Sequence, residues 1–388
     1  MDLSKKNNKD KGDDITSNDD NKINSRISMD KPIKLSLGEI NVVDNNDDLN
    51  NSGTFKLNID NNDELDDNND NNDINPCKGL SFSVGVSENK NSKYRRTMED
   101  VHTYVANFCE RLDWGYFGVF DGHAGKQTAR WAGTNLHNLL YDSIINDKFN
   151  DLRENLNYSF LEADKEIAKL KDVGSSGCTA AVAVLRWEEE VEEDEDEDEE
   201  GEGEREGEKE EGVEKDIKSN EINNEGPFDF IPSKKHRRIL YTANVGDSRI
   251  VINRNGKAKR LTYEHKGSDK NEIKRIYKSG GLVLGGRVNG VLAVSRSLGD
   301  IYLKEFVLGN PYTTMTELNE GDKFIIIACD GLWDVCDDQE AVSLIKDLTD
   351  AKIASEKLCT YAIQQGTSDN VTVMVVMLDT RIFGYTKM

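Results

Sequence analysis

Trp114-Gly115-Tyr116-Phe117-Gly118-Val119-Phe120-Asp121-Gly122-His123 reads as an apolar strand that stops on a carboxylate. Two other stretches share the pattern. Lys323–Cys329 is strongly apolar and runs into Asp330-Gly331, and Ser368-Asp369-Asn370 leads into the apolar run Val371–Leu378. A carboxylate at a strand end is held rigidly and can point into a cleft. Several carboxylates meeting in one cleft repel each other unless cations are bound. Hard divalent ions such as Mg²⁺ and Mn²⁺ take such oxygen ligands. Two of them about 3.5–4 Å apart lower the pKa of a shared water and make it a nucleophile. A lone Asp-Gly pair is more often a plain turn, and spacing alone does not bring the three ends together.

Outward from these ends, strand patterning recurs. Phe82, Val84 and Val86 alternate with polar residues, and Val101–Phe108, Cys178–Trp187, Ile239–Asn244 and Arg249–Asn253 read as further strands. Asn255-Gly256 and Asn289-Gly290 supply turns, the first of a type I′ hairpin. Helical faces fall at Leu136, Leu139, Leu140 and Ile144, and over about 151–172 through Leu152, Leu156, Phe160 and Leu161. A helix near 269–279 ends on Gly280-Gly281, and two more cover about 338–348 and 351–364. Antiparallel strand runs with helices in separate blocks predict an α+β fold.

The charge divides the chain. Of the formal net charge of −24 over 388 residues, about −9 lies in residues 1–76 and about −18 in residues 188–225, leaving the rest at about +3. Residues 1–76 are rich in Asn and Asp and predict a disordered extension; about 188–236 predicts a disordered acidic insertion within a domain spanning 77–388. Within it Asp194, Asp196 and Asp198 mimic a calcium loop, but Glu199 stands where its glycine is required. The acidity argues against nonspecific nucleic-acid binding. Six scattered cysteines without a C-x-x-C pair read as reduced thiols. With no leader and no membrane span, a soluble protein of the cytoplasm or nucleus is expected.

Six ordered motifs then carry a resemblance. They are Arg95-Arg96-Thr97-Met98-Glu99-Asp100, Val119-Phe120-Asp121-Gly122-His123-Ala124-Gly125, Ala243-Asn244-Val245-Gly246-Asp247-Ser248-Arg249, Leu292-Ala293-Val294-Ser295-Arg296-Ser297-Leu298-Gly299-Asp300, Ala328-Cys329-Asp330-Gly331-Leu332-Trp333-Asp334, and Ser368-Asp369-Asn370-Val371-Thr372. Across about 77–380 they resemble the type 2C metal-dependent protein serine/threonine phosphatases. Residues 261–378 look most like fungal members that damp stress-activated MAP kinase signalling. The resemblance implies a four-layer α-β-β-α sandwich with two central antiparallel sheets. It implies two Mg²⁺ or Mn²⁺ ions, with Asp121 bridging both, the Gly122 carbonyl and Glu99 completing one, and Asp330 and Asp369 holding the other. Asp100 would orient metal-bound waters. Arg95 would grip phosphate and His123 would protonate the leaving seryl or threonyl oxygen, with water attacking directly. The implied partners are phosphoproteins, MAP kinases or their regulators, and adaptors of a monomeric enzyme, with no nucleic acid and no membrane.

Other residues carry weaker readings. Asp247 reads either as a ligand of a third, weaker metal with Asp330 and Asp334 or as part of a structural turn. Arg296 and Asp300 read as an internal ion pair, Cys329 and Met98 as packing, and Arg96 as a solvated neighbour. His102, His137, His236 and His265 lack zinc-like spacing and read as structural or exposed. The family's Asp-His-Lys-Pro stands here as Glu264-His265-Lys266-Gly267, and Cys178 replaces a serine. Two rivals remain open: a pseudophosphatase scaffold, and an acidic interaction protein whose tails are its function.

Overall fold

The computed structural model describes residues 80–189 and 232–387, together with the backbone of Ile40–Val42. In chain order the first half comprises β1 (Ile40–Val42), β2 (Phe82–Asn89), β3 (Val101–Ala106), β4 (Gly115–Phe120), β5 (Gly122–His123), α1 (Gln127–Ile145), α2 (Leu152–Lys169), β6 (Gly177–Cys178) and β7 (Ala180–Glu189). The second half comprises β8 (His236–Val245), β9 (Arg249–Arg254), β10 (Lys257–Arg260), α3 (Lys270–Lys278), β11 (Val283–Leu284), β12 (Arg287–Val288), β13 (Leu298–Gly299), β14 (Tyr312–Glu317), β15 (Asp322–Ala328), α4 (Asp330–Trp333), α5 (Asp338–Ile345), α6 (Ala351–Gln364) and β16 (Val371–Leu378).

Two antiparallel sheets face each other, one ordered β1-β3-β4-β7-β8-β14 and the other β10-β9-β15-β16-β2. Period-two alternation sorts side chains between layers. Tyr116 and Phe120 of β4 face Leu136 and Leu140 of α1 and Phe160 of α2. Phe117 and Val119 face inward, toward Ile325, Ile327, Met374 and Val376 of the other sheet. On that sheet's outer face Phe324, Ile326 and Val375 meet Val342 and Ile345 of α5 and Leu358 of α6. Each such buried side chain contributes about 1.5–3 kcal/mol. The result is the α-β-β-α sandwich the resemblance implies. Aspartates start the helices: Asp151, Asp269, Asp337 and Asp350 each accept backbone N–H bonds in the first turn.

Apart from the backbone of Ile40–Val42, the expected disordered extension (1–76) and most of the acidic insertion, including Asp194, Asp196 and Asp198, lie outside the described residues. At the edges the structure differs. Ile40–Val42 pairs with β3, and β7 and β8 extend through Glu189 and from His236, into the expected insertion. Strand β14, Tyr-Thr-Thr-Met-Thr-Glu, shows no apolar alternation and escaped the sequence reading; it is an edge strand with only Thr316 buried. Gly285-Gly286, both at positive φ, join β11 to β12, and Asn289-Gly290 forms the next turn. The five described cysteines are unpaired and buried. No helix among the described residues is long and apolar enough to cross a membrane.

One buried polar cluster ties the sheets' edges together. The Arg238 guanidinium lies 3.0 Å from Asp113 and donates to Ser81 Oγ at 3.1 Å. Asp113 also accepts from Ser81 N and from Trp187 Nε1 at 3.0 Å. Removing one partner of a buried pair leaves an uncompensated charge. Asp113→Ala is therefore expected to lower unfolding free energy by about 3–5 kcal/mol, read from urea denaturation. A loss below about 1 kcal/mol, the value of an exposed pair, would show that the cluster contributes little.

Candidate functional site

The sheet registers decide what converges. Val101 of β3 pairs with Phe120 of β4, so Asp100 and Asp121 lie side by side at one end of the first sheet. Ala328 of β15 pairs with Val373 of β16, so Asp330 and Asp369 meet at one end of the second. Gly331 permits the close approach at that corner: a Cβ there would lie 1.9 Å from the Asn370 carbonyl oxygen. The two ends meet, and ligand atoms of Asp100, Asp121 and Cys329 lie within 4.8 Å of one another.

The electrostatics record this crowding. Burial, and then the charges of Asp100, Asp330, Asp247 and Asp369, push Asp121 well above the usual carboxylate range. Burial, then Asp247, Asp369, Asp334 and Asp100, do the same to Asp330. Burial raises Asp100 to about 7, against hydrogen bonds from Thr372 and Cys329. Asp369 is raised by burial and held down by Arg95. The Asp330 Oδ1 atom is buried with no hydrogen-bond partner among the described residues. Hard cations fit this donor set: they supply the missing partner for Asp330 and remove the mutual repulsion.

The surrounding shell holds the carboxylates still. Asp100 Oδ2 accepts from Thr372 Oγ1 at 2.8 Å and from Cys329 Sγ at 3.3 Å, while Thr372 N donates to that sulfur at 3.2 Å. Cys329 therefore bears on the site as well as packing; its thiol is pushed well up by burial and then by Asp100. Asn370 staples the corner: its amide group donates to Lys90 O and Thr97 O, and its Oδ1 accepts from Glu99 N. Both Glu99 carboxylate oxygens are engaged, one by Thr97 Oγ1 at 2.8 Å and one by Gly125 N at 3.1 Å. Gly122 lies on β5 immediately after Asp121. The Arg95 guanidinium reaches Asp369, and its Nε donates to Ser368 O at 3.2 Å.

Asp247 is buried, and burial raises it to about 6 against the charge of Lys266. The Lys266 ammonium lies 3.0 Å from Asp334 and 3.8 Å from Asp247, so a lysine cation stands beside two of the three aspartates read as a third metal site. Lys266 belongs to the departed Glu264–Gly267 stretch, whose Glu264 pairs with Arg249 and Arg260.

The expected Arg296–Asp300 ion pair does not form. Arg296 turns to Glu272 on α3, at 2.8 Å, where Arg275 shares the same carboxylate. Asp300 is buried in a left-handed turn and accepts from His123 Nε2 at 2.7 Å and from Ser297 Oγ at 2.5 Å. Of the other histidines, His102 pairs with Glu88 at 2.6 Å, His236 bonds Ser233, and His137 and His265 are buried, each lowered to about 4 by burial.

Comparison with known proteins points to one family. The family described as protein phosphatase 2C matches residues 84–191 and 188–371. Protein phosphatase 2C homolog 1 of Saccharomyces cerevisiae is 51% identical over 299 residues, covering 77% of this chain and 94% of the relative. Its counterpart of the same name in Schizosaccharomyces pombe is 39% identical over 304 residues, covering 78% and 75%. Among solved structures, a C. elegans sex determining protein superposes with TM-score 0.59 at 22% identity, over 80% of this chain and 68% of that one. A phosphatase from Toxoplasma gondii does so with TM-score 0.56 at 21% identity, over 78% and 94%. At such identities the structures speak for the fold.

Proposed function

This chain belongs to the protein phosphatase 2C family, whose members are metal-dependent protein serine/threonine phosphatases, and we propose that it hydrolyses phosphoserine and phosphothreonine with two Mg²⁺ or Mn²⁺ ions held by Glu99, Asp121, the Gly122 carbonyl, Asp330 and Asp369. The observation that carries this reading is the convergence of Asp100, Asp121, Asp330 and Asp369, with Asp330 Oδ1 buried and unpartnered among the described residues. Bound cations supply Lewis acidity and make water a nucleophile near neutral pH. The chain's own groups do the rest. Asp100, fixed from behind by Thr372 and Cys329, presents its carboxylate to water at the site. Arg95 binds phosphate oxygens with its planar fork. His123 gives a proton to the departing seryl or threonyl oxygen.

Hydrolysis of a phosphothreonine peptide is expected to stop with a divalent chelator and to return with Mg²⁺ or Mn²⁺. Full activity in excess chelator would sink the metal reading, and failure of every cation to restore activity would favour the scaffold rival. Stability supplies an independent check. Asp100 and Asp247 titrate near 7 and 6 in the folded state and near 4 when unfolded. Groups raised by folding stabilise while protonated, and that stability is lost as pH rises through the folded value. Because the buried His137 and His265, lowered to about 4, gain stability over the same range, the carboxylates' contribution is expected to show as a gap between melting temperatures with saturating Mn²⁺ and without metal that widens as pH rises from about 4 to 7. Melting curves with and without metal that stay parallel across this range would contradict it.

As its cellular role, we read this chain as a negative regulator of stress-type MAP kinase signalling, active in the cytoplasm and nucleus as a monomer that works with adaptor proteins. The support is the resemblance of residues 261–378 to fungal members with that role. A kcat/KM for a phosphothreonine in a MAP kinase activation loop no higher than for unrelated phosphopeptides would remove the kinase part of the reading.

A further inference from the structure

The three-stranded sheet β5-β6-β13 brings His123 to Asp300. His123 pairs with Gly177 across β5 and β6, and Gly299 pairs with Gly177 from the other side. The Asp300 side chain then reaches over Gly177 to the imidazole. A Cβ on Gly177 would lie 2.1 Å from Asp300 Oδ2 and 2.4 Å from His123 Nε2, so only glycine leaves room for the contact. Asp300 is fully buried and, beside Gly299, adopts a left-handed backbone at φ 46°, which costs a non-glycine residue energy. It stands at the N-cap of the single turn Ile301–Leu303, yet its side chain makes no cap hydrogen bond. It turns instead to His123 and Ser297.

We propose that Asp300 is the positioning residue for His123: it accepts a hydrogen bond from Nε2–H, fixes the ring's tautomer and plane, and leaves Nδ1 to meet the departing oxygen. The inference rests on the reading of His123 as proton donor. A carboxylate oxygen accepts, so Nε2 carries a hydrogen. Nδ1 makes no hydrogen bond among the described residues, and the side chain is 26% exposed. In the step itself a water oxygen bonds to phosphorus and the bond from phosphorus to the seryl or threonyl oxygen breaks. The electron pair stays on that oxygen, which takes the Nδ1 proton. The ring is left neutral with Nε2–H still on Asp300, and the water's proton, released to solvent, is the one the ring recovers.

The test compares His123→Gln, Asp300→Asn, Gly177→Ala and the double variant His123→Gln/Asp300→Asn, with saturating Mn²⁺. Each is assayed on a phosphothreonine peptide and on p-nitrophenyl phosphate, whose leaving group departs unprotonated. Asp300→Asn is expected to lower kcat for the peptide by about 10–100-fold, within the range of a general acid's contribution, and to change the aryl phosphate by less than about threefold, a margin well below that range. The nearest atoms to a Cβ at Gly177 are the Asp300 carboxylate and His123 Nε2, so Gly177→Ala is expected to separate the pair and, with its melting temperature checked against the parent's, to show the same selectivity. The double variant is expected to be no worse than His123→Gln, as for groups acting as one unit. The ¹⁵N spectrum of His123 is expected to show Nε2 protonated in the parent chain and a changed tautomer balance in Asp300→Asn. Equal loss on both substrates in Asp300→Asn and Gly177→Ala, no loss in either, or multiplicative losses in the double variant would overturn the pairing while sparing His123. Equal damage to both substrates by His123→Gln would instead overturn its role as proton donor.

Discussion

Asp121→Asn is expected to lower kcat on a phosphothreonine peptide by about three powers of ten or more, about 4 kcal/mol of barrier. Asp121 stands where the two sheets' acidic ends meet, and its carboxylate feels Asp100, Asp330, Asp247 and Asp369 together. It would be among the residues that hold the cations, so losing its charge would weaken their binding and with it the activation of water and the neutralisation of developing charge. The amide fits the same space, and the strand that precedes it, β4, is buried on both faces, so the fold is expected to survive. Removing a negative charge from a crowded cluster relieves repulsion, and the metal-free variant is expected to melt no lower than the parent. Calorimetric titration with Mn²⁺ would show the cause as weakened binding. A variant that keeps parental kcat at saturating Mn²⁺ would remove Asp121 from the metal-holding role.

The sequence patterns that proved legible were those governed by short-range rules. The continuous apolar runs at Phe324 to Ala328 and from Val371 located β15 and β16, and the charge imbalance separated the acidic segments from the rest. The site was legible as three strand ends, because a strand's terminus is a local property. Their meeting depends on antiparallel register between β3 and β4 and between β15 and β16, which no single stretch encodes. Local backbone conformation explains the one pairing misread. Arg296 and Asp300 are four apart and look like partners along the chain, but a left-handed turn at Gly299-Asp300 sends them to opposite sides. Thr372 was visible inside its motif, yet its hydroxyl's bond to Asp100, 272 residues earlier in the chain, was not. The two-residue strands β5, β6 and β13 were too short for any periodicity to show.

Arg95→Ala is expected to lower kcat/KM by about a hundredfold or more, chiefly through a higher KM, since charge-assisted forks to phosphate are strong in ground and transition states alike. In this structure the Arg95 side chain is 48% exposed, its guanidinium engages Asp369, and its Nη1 makes no hydrogen bond among the described residues. It can therefore offer donors to a phosphate while remaining next to the carboxylate. That double contact gives the substitution two consequences. Phosphate loses its grip, which raises KM. Asp369 loses the cation that opposes the effect of burial on it, which weakens the carboxylate as a metal ligand. Raising Mn²⁺ to saturation is expected to recover the second loss and leave the first, with kcat then within about tenfold of the parent, as for removal of uniform binding. Arg95→Lys keeps the charge without the fork, so it is expected to restore metal affinity more fully than KM. If kcat at saturating Mn²⁺ falls further than KM rises, Arg95 acts in the transition state, and its ground-state grip on phosphate is the part to abandon.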